Sequence, residues 1–187
     1  MALNDPGPYV DTPGGKMQAV ALFYYNPTTS TYVASSGGAR MINTPVASVG
    51  NGADTTEDTL QTFSIPAATL RTVGDRLRIV AGGTYGATTD SKTVKVKIGG
   101  VIFSTLTATI ATAVSWKTGI DVVVTGTNTQ FGTALGGSHQ VVAQSQNVTG
   151  VLNVSNALAV TVTGQNNTNS VAGSVVCNYL SVEYLPA

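Results

Sequence analysis

Charge is scarce in this chain. Only 10% of its 187 residues are Asp, Glu, Lys or Arg, and nine bases balance nine acids. Holding nucleic acid through a broad surface needs a cationic excess, so the neutral balance argues against that class. Histidine and cysteine occur once each, as His139 and Cys177. A single cysteine cannot form an internal disulfide, which fits synthesis in a reducing compartment. One imidazole and one thiol cannot complete the four N/S ligands of a closed zinc site. The helix formers Glu, Lys, Gln and Arg are few. No uncharged apolar run approaches the roughly 18 residues of a membrane-spanning helix, so no membrane partner is expected. Met1 to Val10 has neither a basic n-region nor an apolar h-region, so no signal peptide is expected.

What remains favours strands. Hydrophobic residues make up 42%, which is too many for charge-rich disorder. Val and Thr are abundant, and branching at Cβ suits a pleated, half-buried surface. The 21 glycines, with many Asn, supply turns. The expected class is all-β, a two-sheet sandwich.

Five of the seven prolines lie at or before Pro45. Proline removes a ladder donor, so residues 1–16 read as an extended arm. Gln18 to Tyr25 and Ser30 to Ala34, around the turn Asn26-Pro27-Thr28-Thr29, read as a hairpin. Residues 35–53 read as a linker. The expected division is therefore an arm, hairpin and linker over 1–53 and a β-sandwich over 54–187.

In the second part the alternation is regular. Leu77 and Ile79 oppose Arg76 and Arg78, and Val94, Val96 and Ile98 oppose Lys95 and Lys97. Gly99-Gly100 is a two-residue hairpin turn. Further strands are expected at 59–65, 101–107, from Trp116 to Thr125, and over 140–146, 151–155, 157–163 and 171–185. The total is about eight or nine, at the spacing of a sandwich. The last strand is apolar on both faces around Cys177, which predicts a bulge or a buried outer face. The segments 83–91 and 126–139, rich in Gly, Thr and Asn, read as loops.

An ordered series of blocks then stands out: Asp58-Thr59-Leu60, Phe63-Ser64-Ile65-Pro66-Ala67-Ala68-Thr69-Leu70, Gly74-Asp75-Arg76-Leu77-Arg78-Ile79, and Lys92 to Gly100. Trp116 and Tyr179-Leu180-Ser181-Val182-Glu183-Tyr184 follow in order. Over residues 54–187 the series resembles a domain common in small virion proteins of tailed bacteriophages. That resemblance implies a jelly-roll β-sandwich that forms homotrimers. It implies a non-enzymatic role as a capsid decoration (cement) protein, a head fibre or part of a tail fibre. The implied place is the virion surface after synthesis in the host cytoplasm. The implied partners are the major capsid protein or another virion protein, with a host glycan or receptor as the alternative.

Phe23, Tyr24, Tyr25 and Tyr32 crowd one short hairpin, and aromatics dominate interface energetics. They are the candidate attachment residues, with plain packing on the sandwich as the other reading. Arg76, Arg78, Lys95 and Lys97 form either a docking patch for an acidic partner or a set of edge-strand cations that block aggregation. Adjoining strands would set these like charges against one another unless acids such as Asp75 or Asp90 intervene. Asp54, Glu57 and Asp58 are the one acidic cluster, read as a solvated turn more readily than as a Ca²⁺ site. Trp116 reads as core, and with Tyr85 as the aromatic to test for sugar stacking. His139 has no G-x-S-x-G elbow to serve. No catalytic residue, metal or cofactor is expected. The Asn-x-Ser/Thr triplets at Asn147, Asn153 and Asn166 are expected by chance in such a chain.

Overall fold

The computed structural model describes residues 9–12, 15–18, 22–26, 31–35, 40–43, 47–126, 129–138, 141–150 and 152–187. Side chains are described over 47–126, 129–137, 148–149 and 152–187. No helix occurs among them, so none is long and apolar enough to cross a membrane. The chain falls into two compact units, Met1–Gly38 and Ala39–Ala187.

The first unit contains two separate two-stranded antiparallel sheets. One pairs β1 (Tyr9–Thr12) with β2 (Gly15–Gln18), so residues 9–16 of the expected extended arm are largely paired strand. The other pairs β3 (Leu22–Asn26) with β4 (Thr31–Ser35), with Tyr25 opposite Tyr32; Pro27, Thr28 and Thr29 of the expected turn lie outside the described residues.

The second unit is a sandwich of two antiparallel sheets. Its strands are β5 (Arg40–Asn43), β6 (Val49–Gly50), β7 (Asp58–Ile65), β8 (Arg76–Tyr85), β9 (Thr88–Ile98), β10 (Val101–Ile110), β11 (Val114–Gly126), β12 (Thr129–Ser138), β13 (Val141–Gly150), β14 (Leu158–Asn166) and β15 (Val175–Leu185). The larger sheet runs β13-β12-β11-β8-β15-β5, with β6 also on β15, and the smaller runs β10-β9-β14-β7. Both β5 and β6 lie in the stretch expected to be a linker, and both pair with β15.

Alternation directs one face of each strand inward, as the period-2 pattern requires. Leu77 and Ile79 of β8, Ile120 and Val122 of β11, and Leu180 and Val182 of β15 face Val94, Val96 and Ile98 of β9 and Val160 and Val162 of β14. All are buried. Gly99 and Gly100 both have positive φ, 55° and 84°, which closes the β9–β10 hairpin as a primed turn.

The closing strand carries the expected bulge. Cys177 pairs with Gly83 and Tyr179 with Gly82, so Asn178 is the extra residue. The phase of the strand flips there, with Val175 and Cys177 inward before it and Leu180 and Val182 inward after it. Opposite the bulge a Cβ on Gly83 would stand 1.8 Å from the Val176 carbonyl oxygen, so only glycine fits.

Three further sequence expectations differ from the structure. The 83–91 segment is a short turn at Gly86-Ala87 between the ends of β8 and β9. The 126–139 segment is largely β12, not a loop. Its glycines supply room instead of turns. A Cβ on Gly132 would meet the Phe103 ring at 2.5 Å, and one on Gly136 would meet Leu106 and Thr118 at 2.9 Å. Residues 152–155 form no strand. There the Gln130 side chain accepts from Leu152 N at 2.7 Å and donates to Leu152 O at 3.3 Å, standing in for a ladder neighbour.

Candidate functional site

The four basic residues of the expected docking patch do not share a surface. Arg76 and Arg78 lie on the outer face of β8, in the larger sheet, and Lys95 and Lys97 on the outer face of β9, in the smaller. The inner faces of both strands belong to one core, so the two pairs point away from each other. The like-charge conflict expected of adjoining strands does not arise.

Arg78 and both lysines instead meet acids. Arg78 stands in register with Asp121 of β11 and Glu183 of β15. Its Nε lies 3.2 Å from Asp121 Oδ1 and an Nη 3.6 Å from Glu183 Oε2. Glu57 binds both lysines, Lys95 at 2.5 Å and Lys97 through its other oxygen. Burial alone would raise the Glu57 carboxyl, but the ammonium groups of Lys95 and Lys97 override it and hold the group at about 2. Sequence reading had placed Glu57 in a solvated acidic turn. The other two members of that turn are occupied locally, Asp54 by Thr56 and Asp58 by the Gly52 amide. Among the described residues no group of three metal-ligating side chains occurs.

Asp75, another acid considered as a partner for these bases, ties down the chain terminus. Its Oδ2 accepts from the amides of Arg71 and Thr72, both at 2.8 Å. Its Oδ1 accepts from Tyr184 Oη at 3.0 Å and the Ala187 amide at 3.1 Å. Burial, together with this acid, pushes the Tyr184 phenol up to about 12.

The aromatics weighed for sugar stacking are core residues. Trp116 and Tyr85 are 2% and 1% exposed, with ring centroids 6.3 Å apart. Trp116 Nε1 donates to the Val176 carbonyl, so its polar edge is satisfied inside the protein. A stacking platform needs an open ring face, which neither residue has. Phe23, Tyr24, Tyr25 and Tyr32 are placed by backbone on the β3–β4 hairpin. His139 lies outside the described residues.

Sequence reading missed the outer face of β12. Gln130, Gly132, Ala134 and Gly136 turn inward, which leaves Phe131 and Leu135 outside at 42% and 63% exposure. Phe131 stands across from Val123 of β11, and Thr133 across from Asp121. The signal was a period-2 pattern hidden by glycines at inward positions. A shallow groove of about 290 Å³ opens between Leu70, Arg71, Val73, Val124 and Val154.

No protein-family model and no curated protein matches the chain. Among solved structures, the CBM2 module of the evolved Dit of Lactobacillus casei BL23 phage J-1 is 8% identical, over 78% of this chain and 96% of that one, with a TM-score of 0.32. An exo-β-1,3-galactanase from Phanerochaete chrysosporium, solved with galactose, is 13% identical over 90% of this chain and 34% of that one, with a TM-score of 0.23. Likenesses at this level carry no ligand or activity over to this chain.

Proposed function

We propose that this chain is a non-enzymatic structural protein of a tailed-phage virion, a trimeric decoration protein of the head. Residues 1–38 attach it to the major capsid protein, and the sandwich of residues 39–187 is displayed on the surface. The observation that carries the reading is the build of the N-terminal unit. Its described residues form two two-stranded sheets, and a lone hairpin is marginal in water. Such a unit gains stability from a surface to pack on, and its aromatic hairpin suits that role. Three copies on one trimer would raise the effective concentration of each weak contact. A chain with no net charge associates without self-repulsion. From β7 to β15 the connections cross repeatedly between the sheets, which supports a jelly-roll-type sandwich with the β11-β12-β13 meander added.

The test is removal of residues 1–38, which spares the β5 and β6 pairings with β15. The truncated protein should keep its β-sheet circular dichroism and its oligomeric state, and fail to join shells that the full chain decorates. Normal decoration by the truncated protein would overturn the attachment role. A second reading, a glycan- or receptor-binding fibre module, is supported by the exposed Phe131 beside Thr133 and Asp121. Saturable sugar binding that disappears in Phe131→Ala would favour it.

A further inference from the structure

Where the β8–β9 turn meets the end of β14, the interior holds polar side chains in place of apolar ones. Asp90, Lys92, Asn166 and Ser174 are buried there, Lys92 and Asn166 completely. Burying such groups is costly unless each has partners. Lys92 and Asn166 stand directly opposite each other in the antiparallel β9–β14 ladder. Cross-strand neighbours on one face have Cβ atoms about 5 Å apart, and a lysine stem spans that distance.

The partners around the two side chains are specific. Lys92 Nζ donates to the carbonyls of Thr88 at 2.7 Å and Asp90 at 3.0 Å. Asn166 Oδ1 accepts from the backbone amides of Thr168 and Asn169, both at 3.1 Å. Asn166 Nδ2 donates to Asp90 Oδ2 at 3.4 Å and to Ser174 Oγ at 3.1 Å. Asn169 Nδ2 donates to the other oxygen of Asp90.

In chemical terms this set is more than a packed polar cluster. Two backbone N–H groups aimed at an amide oxygen stabilise negative charge that develops there. A carboxylate at the amide nitrogen is placed to move protons during cleavage of that bond. A primary amine across the ladder is a nucleophile once it is neutral. Burial pushes the Lys92 ammonium below its ordinary range, with the Asp90 charge opposing.

We propose that Lys92 and Asn166 join in an intramolecular isopeptide bond, with Asp90 as the proton carrier. The Lys92 ammonium gives one proton to Asp90, and the freed amine attacks Asn166 Cγ. The oxygen charge of the tetrahedral intermediate rests on the Thr168 and Asn169 amides. A second proton passes from the attacking nitrogen to Nδ2 as the Cγ–Nδ2 bond breaks. Ammonia leaves and takes the proton held by Asp90, so the products are one secondary amide and one ammonium ion. No oxidant, cofactor or second protein is needed. The bond ties together the two central strands of the smaller sheet. This inference is independent of the virion reading.

The test is the intact mass of the full wild-type chain, unfolded in guanidinium after incubation at neutral pH. The expected mass is the sequence mass less one ammonia, allowing for removal of Met1. Digestion should yield a branched peptide that joins the segment around Lys92 to the segment around Asn166. A wild-type chain at full sequence mass would overturn the proposal. So would an ammonia loss that maps to a cyclised Asn51-Gly52 with no branched peptide. Asp90→Asn, checked for folding by circular dichroism, should keep the full sequence mass. If it cross-links as fast as wild type, the role given to Asp90 is wrong.

Discussion

Replacing Glu57 with Gln removes the one carboxylate that serves both Lys95 and Lys97. Holding that carboxyl at about 2 instead of 4.5 corresponds to ~3 kcal/mol in favour of the charged form. The three side chains are 23–25% exposed, so solvent screening reduces the realised value to ~1–2 kcal/mol. Lys95 and Lys97 also lie two residues apart on one face, roughly 7 Å along the strand, and would repel once Glu57 is neutral. For a chain of this size the loss corresponds to a fall in Tm of about 3–6 °C. The direction with pH follows from the depressed carboxyl. Its contribution is fully present above about pH 4.5 and is lost as pH falls through about 2. Thermal melts followed by circular dichroism should therefore show a gap between wild type and Glu57→Gln at pH 7. That gap should close as pH is lowered from 4.5 toward 2. Equal Tm values at pH 7, or a gap unchanged at pH 2, would refute the clamp.

Other outcomes follow from the packing. Gly83→Ala drives a Cβ into the Val176 carbonyl and should cost ~3 kcal/mol or more, read as loss of soluble folded protein. Gly119→Ala, whose Cβ meets nothing nearer than 3.9 Å, should fold normally and serves as the control. Asp75→Ala strips acceptors from two loop amides, Tyr184 and the Ala187 amide, and should lower unfolding free energy in urea by ~2–4 kcal/mol. Burial pushes the Cys177 thiol up to about 11, so a thiol reagent at pH 8 should label the native protein far more slowly than the unfolded chain.

Much of the sandwich was legible in the sequence because alternation is a local property. Leu77 and Ile79 against Arg76 and Arg78 announced a half-buried strand, and Gly99-Gly100 announced the β9–β10 hairpin. The double-faced apolar run around Cys177 pointed to a bulge or a buried outer face, and the pairing shows the bulge. The strand β12 was hidden because Gly132 and Gly136 look like turn residues. They are inward positions vacated for Phe103, Leu106 and Thr118, which come from other strands. Trp116 and Tyr85 could be weighed either as core or as a sugar platform until their partners were in place. The cluster at Asp90, Lys92 and Asn166 left no local signal, because Asn166 meets the other two only across the β9–β14 ladder.

By itself, then, the sequence determined the all-β class, the faces of most strands and the near-zero charge, since each depends on residues close together in the chain. Only the tertiary structure decided that Arg76 and Arg78 sit back to back with Lys95 and Lys97, and that Glu57 secures the second pair. Strand alternation says which side of its own sheet a residue occupies. It does not say which sheet the strand enters, and that is settled by pairing between segments far apart in the chain.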